Sequence, residues 1–428
     1  MIKQYIKQAF FQLRSQPLLS SISIIGTVLA ICLIMTIVLM QQIQTEPFAP
    51  ESNRNRMLHV KWMTCIQKGG TADNAISNGP MSITTARECF RALTTPEAVT
   101  IYSIVHKMKV SIPKGKGFAI DIKQTDEQFF RVFDFAFVNG KPFDKASSEA
   151  GLPVAVINES VARAVYATTA VVGRQINLNH APYKICGVVR DVTTLASNAY
   201  AQVWVPYRST DIDGMSWYNN IMGVMHVSIL AHSNDDFPTI RAECERLRLK
   251  YNAGLRNDDI VYRNQPDTQE VNVERKRASS SPDMRMIYNK RFLVFAILLL
   301  IPAINLSSMT QSHLRKRVVE IGVRRSFGST RKDVMWQVLA ENLILTLIAG
   351  IIGLILCFVF AFVFSSSVFS SSSIIRLNSS PSVDVMMLMH FSTFGYALFF
   401  CLLMNLLSSG IPAWKASRIS ITDALSNN

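Results

Sequence analysis

Residue types that do chemistry are present throughout this chain, but their spacing matches none of the familiar catalytic or cofactor sites. No Gly-x-x-x-x-Gly-Lys-[Ser/Thr] loop occurs, so the backbone cradle and lysine that hold nucleotide phosphates are missing from this sequence. Gly115-x-Gly117 stops short of a dinucleotide fingerprint, because Ile120 stands where the third glycine is needed. Cys-x-x-Cys, His-Glu-x-x-His and Gly-x-Ser-x-Gly are all absent, and the 7 histidines are scattered without ligand spacing. The sequence therefore reads as a non-catalytic chain that binds no metal or cofactor of its own. Cys65 and Cys89 leave two alternatives open: a disulfide closing a loop in an oxidising compartment, or two small buried side chains. The densest chemistry is a charged stretch from His313 to Asp333. There Lys316, Glu320 and Arg324 recur at i, i+4 and i+8, so the glutamate is expected to pair with both neighbours, while Leu314, Val318 and Ile321 form a separate apolar stripe. Gly328 suits a helix stop, and Thr330 with Asp333 suits the start of the next helix. The expected product is a short charged elbow, alternatively a plain solvated loop.

The elements that must carry this elbow are membrane spans. The chain has 428 residues, 49% hydrophobic and 17% charged, with a mean hydropathy of +0.21. That is too apolar for an ordinary soluble protein and too polar for a pure membrane bundle. Leu18 to Met40 carries no formal charge and is long enough as a helix to cross the hydrocarbon core; it is read as an uncleaved anchor rather than a leader peptide. Three further apolar runs begin at Phe292, at Leu343 and near Val385. Pro302 and Asn305 in the second span, and His390 and Asn405 in the fourth, are expected to face other helices rather than lipid. Ala349, Gly350 and Gly353 in the third fit close helix approach.

The expected layout is a cytoplasmic amphipathic helix over 1–17, spans over 18–41, 286–310, 338–368 and 385–408, a large outer domain over 42–285, a cytoplasmic coupling loop over 311–337, a short serine-rich external loop over 369–384 and a cytoplasmic tail over 409–428. Orientation follows from Lys/Arg bias: the N-terminal tail and the 311–337 loop are basic and belong inside. Net charge is +14, of which residues 42–291 contribute 31 Lys+Arg against 25 Asp+Glu, so the excess lies beside the apolar segments. Basic residues of the large domain are interleaved with acids, which argues against nucleic acid as a partner. Strand patterns fall at Met57 to Trp62, Val99 to Val110, Pro153 to Ile157, Tyr183 to Val189, Gln202 to Val205 and Val224 to Leu230, and helix patterns at Ser82 to Leu93, Glu127 to Phe133, Glu159 to Tyr166 and Asp236 to Tyr251. The large domain is thus expected to be α+β, with Thr268 to Asp283 a polar linker.

Glu320-Ile-Gly-Val-Arg-Arg-Ser-Phe-Gly-Ser-Thr-Arg331, followed by Glu341-Asn342, resembles the signature of the MacB/FtsX-type permeases of ABC transporters. The ending Ile411-Pro-Ala-Trp-Lys-Ala-Ser-Arg-Ile-Ser-Ile-Thr-Asp-Ala-Leu425 is similar to the family's C-terminus. Asp126 to Phe133, Asn139-Gly-Lys-Pro-Phe143, Val156 to Ala162 and Ile185 to Val192 resemble its MacB-like periplasmic core domain. The resemblance implies one plus three membrane helices around a large extracytoplasmic α+β domain, in the bacterial inner membrane. It implies a dimer of permeases whose inner elbows dock on separate ATPase subunits that bind the ATP and Mg, without a fused motor. Lys316, Glu320, Gly322, Arg324, Arg325, Gly328 and Arg331 would form the docking element. A periplasmic adaptor, an outer-membrane channel and membrane lipid are the other partners implied, and the action implied is export driven by movement of the outer domain. An FtsX-like sensor or regulator without transport is the alternative, and a bare membrane anchor has no need of the elbow.

Overall fold

The computed structural model describes residues 17–71, 75–112, 117–363 and 391–418. The expected N-terminal amphipathic helix, Gly115, the serine-rich loop, His390 and the tail from residue 419 onward lie outside the described residues. The chain divides into two compact units, one helical and one, from Gln44 to Asp283, built on sheets.

The helical unit contains the four helices long and apolar enough to cross a membrane: α1 (Pro17–Thr45), α7 (Met284–Lys316), α9 (Arg331–Val363) and α10 (Phe391–Ser417). At 1.5 Å per residue the two 33-residue helices are about 50 Å long, more than a bilayer core requires, so their ends extend beyond it. Glycine sets how close these helices come. A Cβ at Gly353 would lie 2.9 Å from Val28 O of α1, and one at Gly350 would collide with Cys401 Sγ of α10. Polar side chains tie the helices together: Gln42 donates to Ser392 Oγ (2.8 Å) and accepts from Thr393 (2.9 Å), Thr310 donates to Asn342 Oδ1 (3.2 Å), and Asn405 donates to Leu339 O (3.2 Å). Pro302 is buried as expected, within a continuous helix. Asn305 is exposed by area, but its amide lies beside α1, Nδ2 being 3.8 Å from where a Cβ on Gly26 would stand.

In the large unit, an 11-stranded sheet runs in the order β11-β8-β10-β9-β5-β6-β4-β12-β1-β14, with β7 (Phe137–Gly140) paired to β10. Six of these strands close into a ring, since β11 (Val203–Pro206) pairs with both β8 (Val154–Asn158) and β6 (Phe118–Thr125). The other three are β5 (His106–Ser111), β9 (Gln175–Leu178) and β10 (Ala181–Val189). Alternate side chains fill the ring, among them Val110, Ile122, Ile157, Ile176, Ile185 and Val203, so its interior is a packed core. Helix α4 (Glu159–Tyr166) adds Val161 and Ala162, capped by Asn158, whose side chain accepts from Val161 N.

Beyond β6 the sheet continues through β4 (Ala98–Ser103), β12 (Met225–Leu230), β1 (Met57–Val60) and β14 (Asp267–Thr268). A three-stranded sheet of β2 (Met63–Gln67), β3 (Ala75–Gly79) and β13 (Asp258–Val261), with helices α2 (Ile83–Phe90) and α5 (Phe237–Gly254), encloses a second core around Leu58, Met81, Phe90, Val227 and Ile240. The aromatic residues of α3 (Phe129–Val132) and its flanks, with Tyr102 and Trp204, make a third.

Three expectations are corrected. The run from Val99 to Val110 is two strands, because Ile104 leaves the ladder to donate to Val224 O (2.8 Å) and the Ser103 hydroxyl donates to Ile104 O. Cys65 and Cys89 are free thiols, buried in the same core as Cys244, and burial pushes them up to about 12 and about 11. They serve as small apolar residues, the second of the two alternatives. Thr268 to Asp283 is a packed strap rather than a plain linker: it holds α6 (Gln269–Glu274), and Gln269, Asn272, Arg275 and Ala278 are buried.

Candidate functional site

The elbow is built by two breaks in helix. Helix α7 stops at Lys316 because Arg317 leaves helical backbone (φ −107°, ψ 11°). Helix α8 (Val318–Ser326) then runs nine residues to the second break at Gly328 (φ +99°). That left-handed conformation is cheap only for glycine, and the residues around it recapture the helix-end carbonyls: Phe327 N–H bonds Val323 O, Gly328 N–H bonds Arg325 O and Ser329 N–H bonds Arg324 O, at 3.1–3.2 Å. Helix α9 starts with a reciprocal cap, in which Asp333 Oδ2 accepts from Thr330 N (2.8 Å) and Thr330 Oγ1 accepts from Asp333 N (3.3 Å).

A closed ring of polar side chains locks α8 onto α9. Arg317 reaches both Glu320 (3.0 Å) and Glu341 (2.9 Å). Glu320 pairs onward with Arg324, Arg324 donates to Gln337 Oε1 (3.0 Å), and Gln337 donates to Glu341 Oε1 (2.9 Å), which returns to Arg317. Arg317 gives one nitrogen to each carboxylate, and the burial of Glu341 makes the Arg317–Glu341 contact the strongest link. The hydrogen bond from Arg317, opposed by burial and assisted by the charges of Arg317 and Arg324, holds the Glu320 carboxyl below its ordinary range. Under the ring, Leu314, Ile321, Val334 and Val338 pack with Ala413 and Ala416 of α10.

The expected pairing of Glu320 is thereby half right. Arg324 is its partner, but Lys316 is not, because the break at Arg317 takes Lys316 off the α8 face and puts Arg317 in its place. Gly322 is buried on the inner face beside Ile321, and Arg325 is half-buried. Lys316, Gly328 and Arg331 are exposed with Arg315 and Lys332. An apolar stripe absent from the expected site runs along the outer face of α8: Val319 (47% exposed), Val323 (40%) and Phe327 (89%), at i, i+4 and i+8. Trp336 on α9 is exposed as well. Spacing alone could have found the stripe; Arg317, Gln337 and Glu341 join over 24 residues and have no local signal.

The elbow thus carries an exposed apolar stripe on α8, with exposed cations before and after that helix. Among the described residues no cluster of His, Cys, Asp or Glu could hold a metal ion.

Comparison with known proteins matches residues 20–247 to the MacB-like periplasmic core domain and residues 292–421 to the FtsX-like permease C-terminal domain. The chain is 29% identical over 238 residues to the macrolide export ATP-binding/permease protein MacB of Bordetella avium, covering 55% of this chain and 34% of that protein. It is 26% identical over 230 residues to the uncharacterized ABC transporter permease YknZ of Bacillus subtilis, covering 54% of each. The matched segments thus span between a third and just over half of these relatives. The crystal structure of the periplasmic region of MacB from Actinobacillus actinomycetemcomitans aligns with a TM-score of 0.34 and 18% identity, over 50% of this chain and 93% of that one. With one family domain covering more than half of the chain and the second covering its last three membrane helices, the protein belongs to the MacB/FtsX-type permeases of ABC transporters.

Proposed function

We propose that this chain is the permease subunit of an ABC transporter in a bacterial inner membrane, and that a separate ATPase docks on the α8 elbow from the cytoplasm. ATP-driven closure of that ATPase then moves the periplasmic domain, and the work done is export. The observation that carries this reading is the elbow itself. A solvated loop has no need of a closed polar ring between two helices, nor of an apolar stripe ending in a phenylalanine that is 89% exposed, with Lys316 exposed before α8 and Arg331 exposed after it. An apolar anchor at the centre with a charged rim is how a docking surface divides affinity from steering. The Lys/Arg bias of the same loop supports its cytoplasmic placement. ATP and Mg belong to the partner ATPase in this reading.

The roles within the element divide. Glu320, Arg324 and Gly328 set the shape of the tip, Gly322 lets its inner face pack closely, and Phe327 with Lys316, Arg325 and Arg331 meets the partner. The substitutions that test docking are therefore Phe327→Asp and Arg331→Glu, which leave the polar ring intact. In affinity purification from native membranes, the wild-type chain is expected to bring a stoichiometric ATPase and ATP hydrolysis with it. Phe327→Asp is expected to lower that yield at least about tenfold, as loss of a central aromatic anchor does. An unchanged yield with Phe327→Asp would remove the elbow from the docking role.

A further inference from the structure

The two stretches of chain that connect the large domain to the membrane helices flank it in sequence, at residues 44–56 and 269–283, and each is fastened by a buried arginine, the first to the 195–199 loop and the second to Asp267 of β14. Arg54 is 2% exposed and spends its whole guanidinium: Nε donates to Glu51 Oε2 (2.7 Å), Nη1 to Glu46 O (3.0 Å) and Nη2 to Leu195 O (3.0 Å), while its plane covers the Phe48 ring at 4.2 Å. Glu51 is equally buried, and its second oxygen accepts from Asn198 N (2.8 Å) and Ala199 N (3.0 Å). Burial pushes the Glu51 carboxyl up, but Arg54 and the Ala199 N–H outweigh it and hold it below the ordinary range.

On the other connection, Arg275 is 6% exposed and pairs with Asp267 through both Nε and Nη2; it also donates to Arg263 O (2.9 Å) and Ser280 O (3.1 Å). The two clamps adjoin one strand pair in sequence. Arg54 precedes β1, Asp267 begins β14, and these strands pair with His59 opposite Asp267. One bond joins the connections directly, Gln269 donating to Gln44 O (2.8 Å); next to them, Gln265 Oε1 accepts from Lys61 N (3.0 Å). A buried arginine fork whose three nitrogens all donate within the fold fixes orientation as well as position, unlike a flexible tether.

We propose that Arg54 and Arg275 are the joints that make the large domain follow its membrane helices, converting motion at 44–56 and 269–283 into rotation of the β1–β14 pair and the sheet behind it. This deepens the coupling proposed above and rests on it. Neither arginine touches a ligand; both are positioning residues. Their loss is expected to separate ATP hydrolysis from domain movement.

The test uses the full chain with its ATPase in lipid nanodiscs. Because a lone buried charge endangers folding, both charges of each clamp are removed together, as Glu51→Gln with Arg54→Met and Asp267→Asn with Arg275→Met. The first readout is hydrogen exchange. Amides of 46–56 and 275–283 are expected to exchange at least about tenfold faster in the variants, with the β8–β11 ring unchanged. The second is the ATP-dependent change in distance between spin labels at Leu152 of the large domain and Ile297 of α7, both exposed. Wild type is expected to show this change; the variants are expected to bind and hydrolyse at wild-type rate and lose it. Variants that shift as wild type does would overturn the joint while leaving the coupling intact. A wild type that hydrolyses ATP with no change in distance would overturn the coupling, and the joint with it.

Discussion

Burial makes one residue informative beyond the site. His59 is 1% exposed, its Nδ1 lies 2.8 Å from Ser228 Oγ, and Tyr102 OH lies 2.8 Å from the same hydroxyl. Burial, reinforced by the nearby Lys61, lowers its pKa to about 3. The folded domain therefore refuses a proton that the unfolded chain accepts near pH 6.5. Its contribution to stability is whole above that pH and is lost progressively as pH falls toward about 3. His59→Gln is expected to flatten the acid limb of a thermal-unfolding series between those values; an unaltered limb would assign it to other groups. In the elbow, Arg317→Met leaves the buried Glu341 with only Gln337 and is expected to cost about 2–3 kcal/mol. Glu320→Gln, at an exposed carboxylate, is expected to cost about 1 kcal/mol or less. Thermal unfolding in detergent ranks the pair, and a larger loss from Glu320→Gln would contradict the ring as described.

Elements were legible where a local rule governs them. The helix over Glu159 to Tyr166, the cap at Thr330 and Asp333, the stop at Gly328 and all four membrane helices follow from capping chemistry, glycine conformation and apolar length. Strands β6, β9 and β13 were not legible. In β6 the buried residues include Asp121, Lys123 and Gln124, which break the apolar alternation that marks a strand, and their burial is decided by distant neighbours. The candidate site divides the same way: Glu320 with Arg324 was readable at i+4, whereas Arg317 with Glu341 depends on where α9 folds back. Two glycines test the element scale. Gly328→Val forces a β-branched residue into φ +99° and is expected to cost about 1–2 kcal/mol. Gly353→Leu sets a side chain against Val28 O and is expected to cost about 3 kcal/mol by separating α1 from α9. Wild-type melting temperatures for both would show that neither glycine is required by geometry.

As a whole the chain is a membrane helical unit and a sheet-built domain, tied together by sequence at two connections. Its charged chemistry is concentrated where force would enter and leave: the polar ring of the elbow and the arginine clamps beside β1 and β14. The family supplies the permease identity, and the exposed stripe of α8 is where we propose an ATPase holds. The most direct measurement is site-specific photo-crosslinking from position 327 in native membranes, with Ile76 of the large domain as the control position. The docking proposed here predicts a crosslink from position 327 to an ATP-binding subunit, strengthened by trapped nucleotide, and none from position 76. Crosslinks from position 327 to lipid alone would contradict it, leaving the stripe as an ordinary membrane-facing surface.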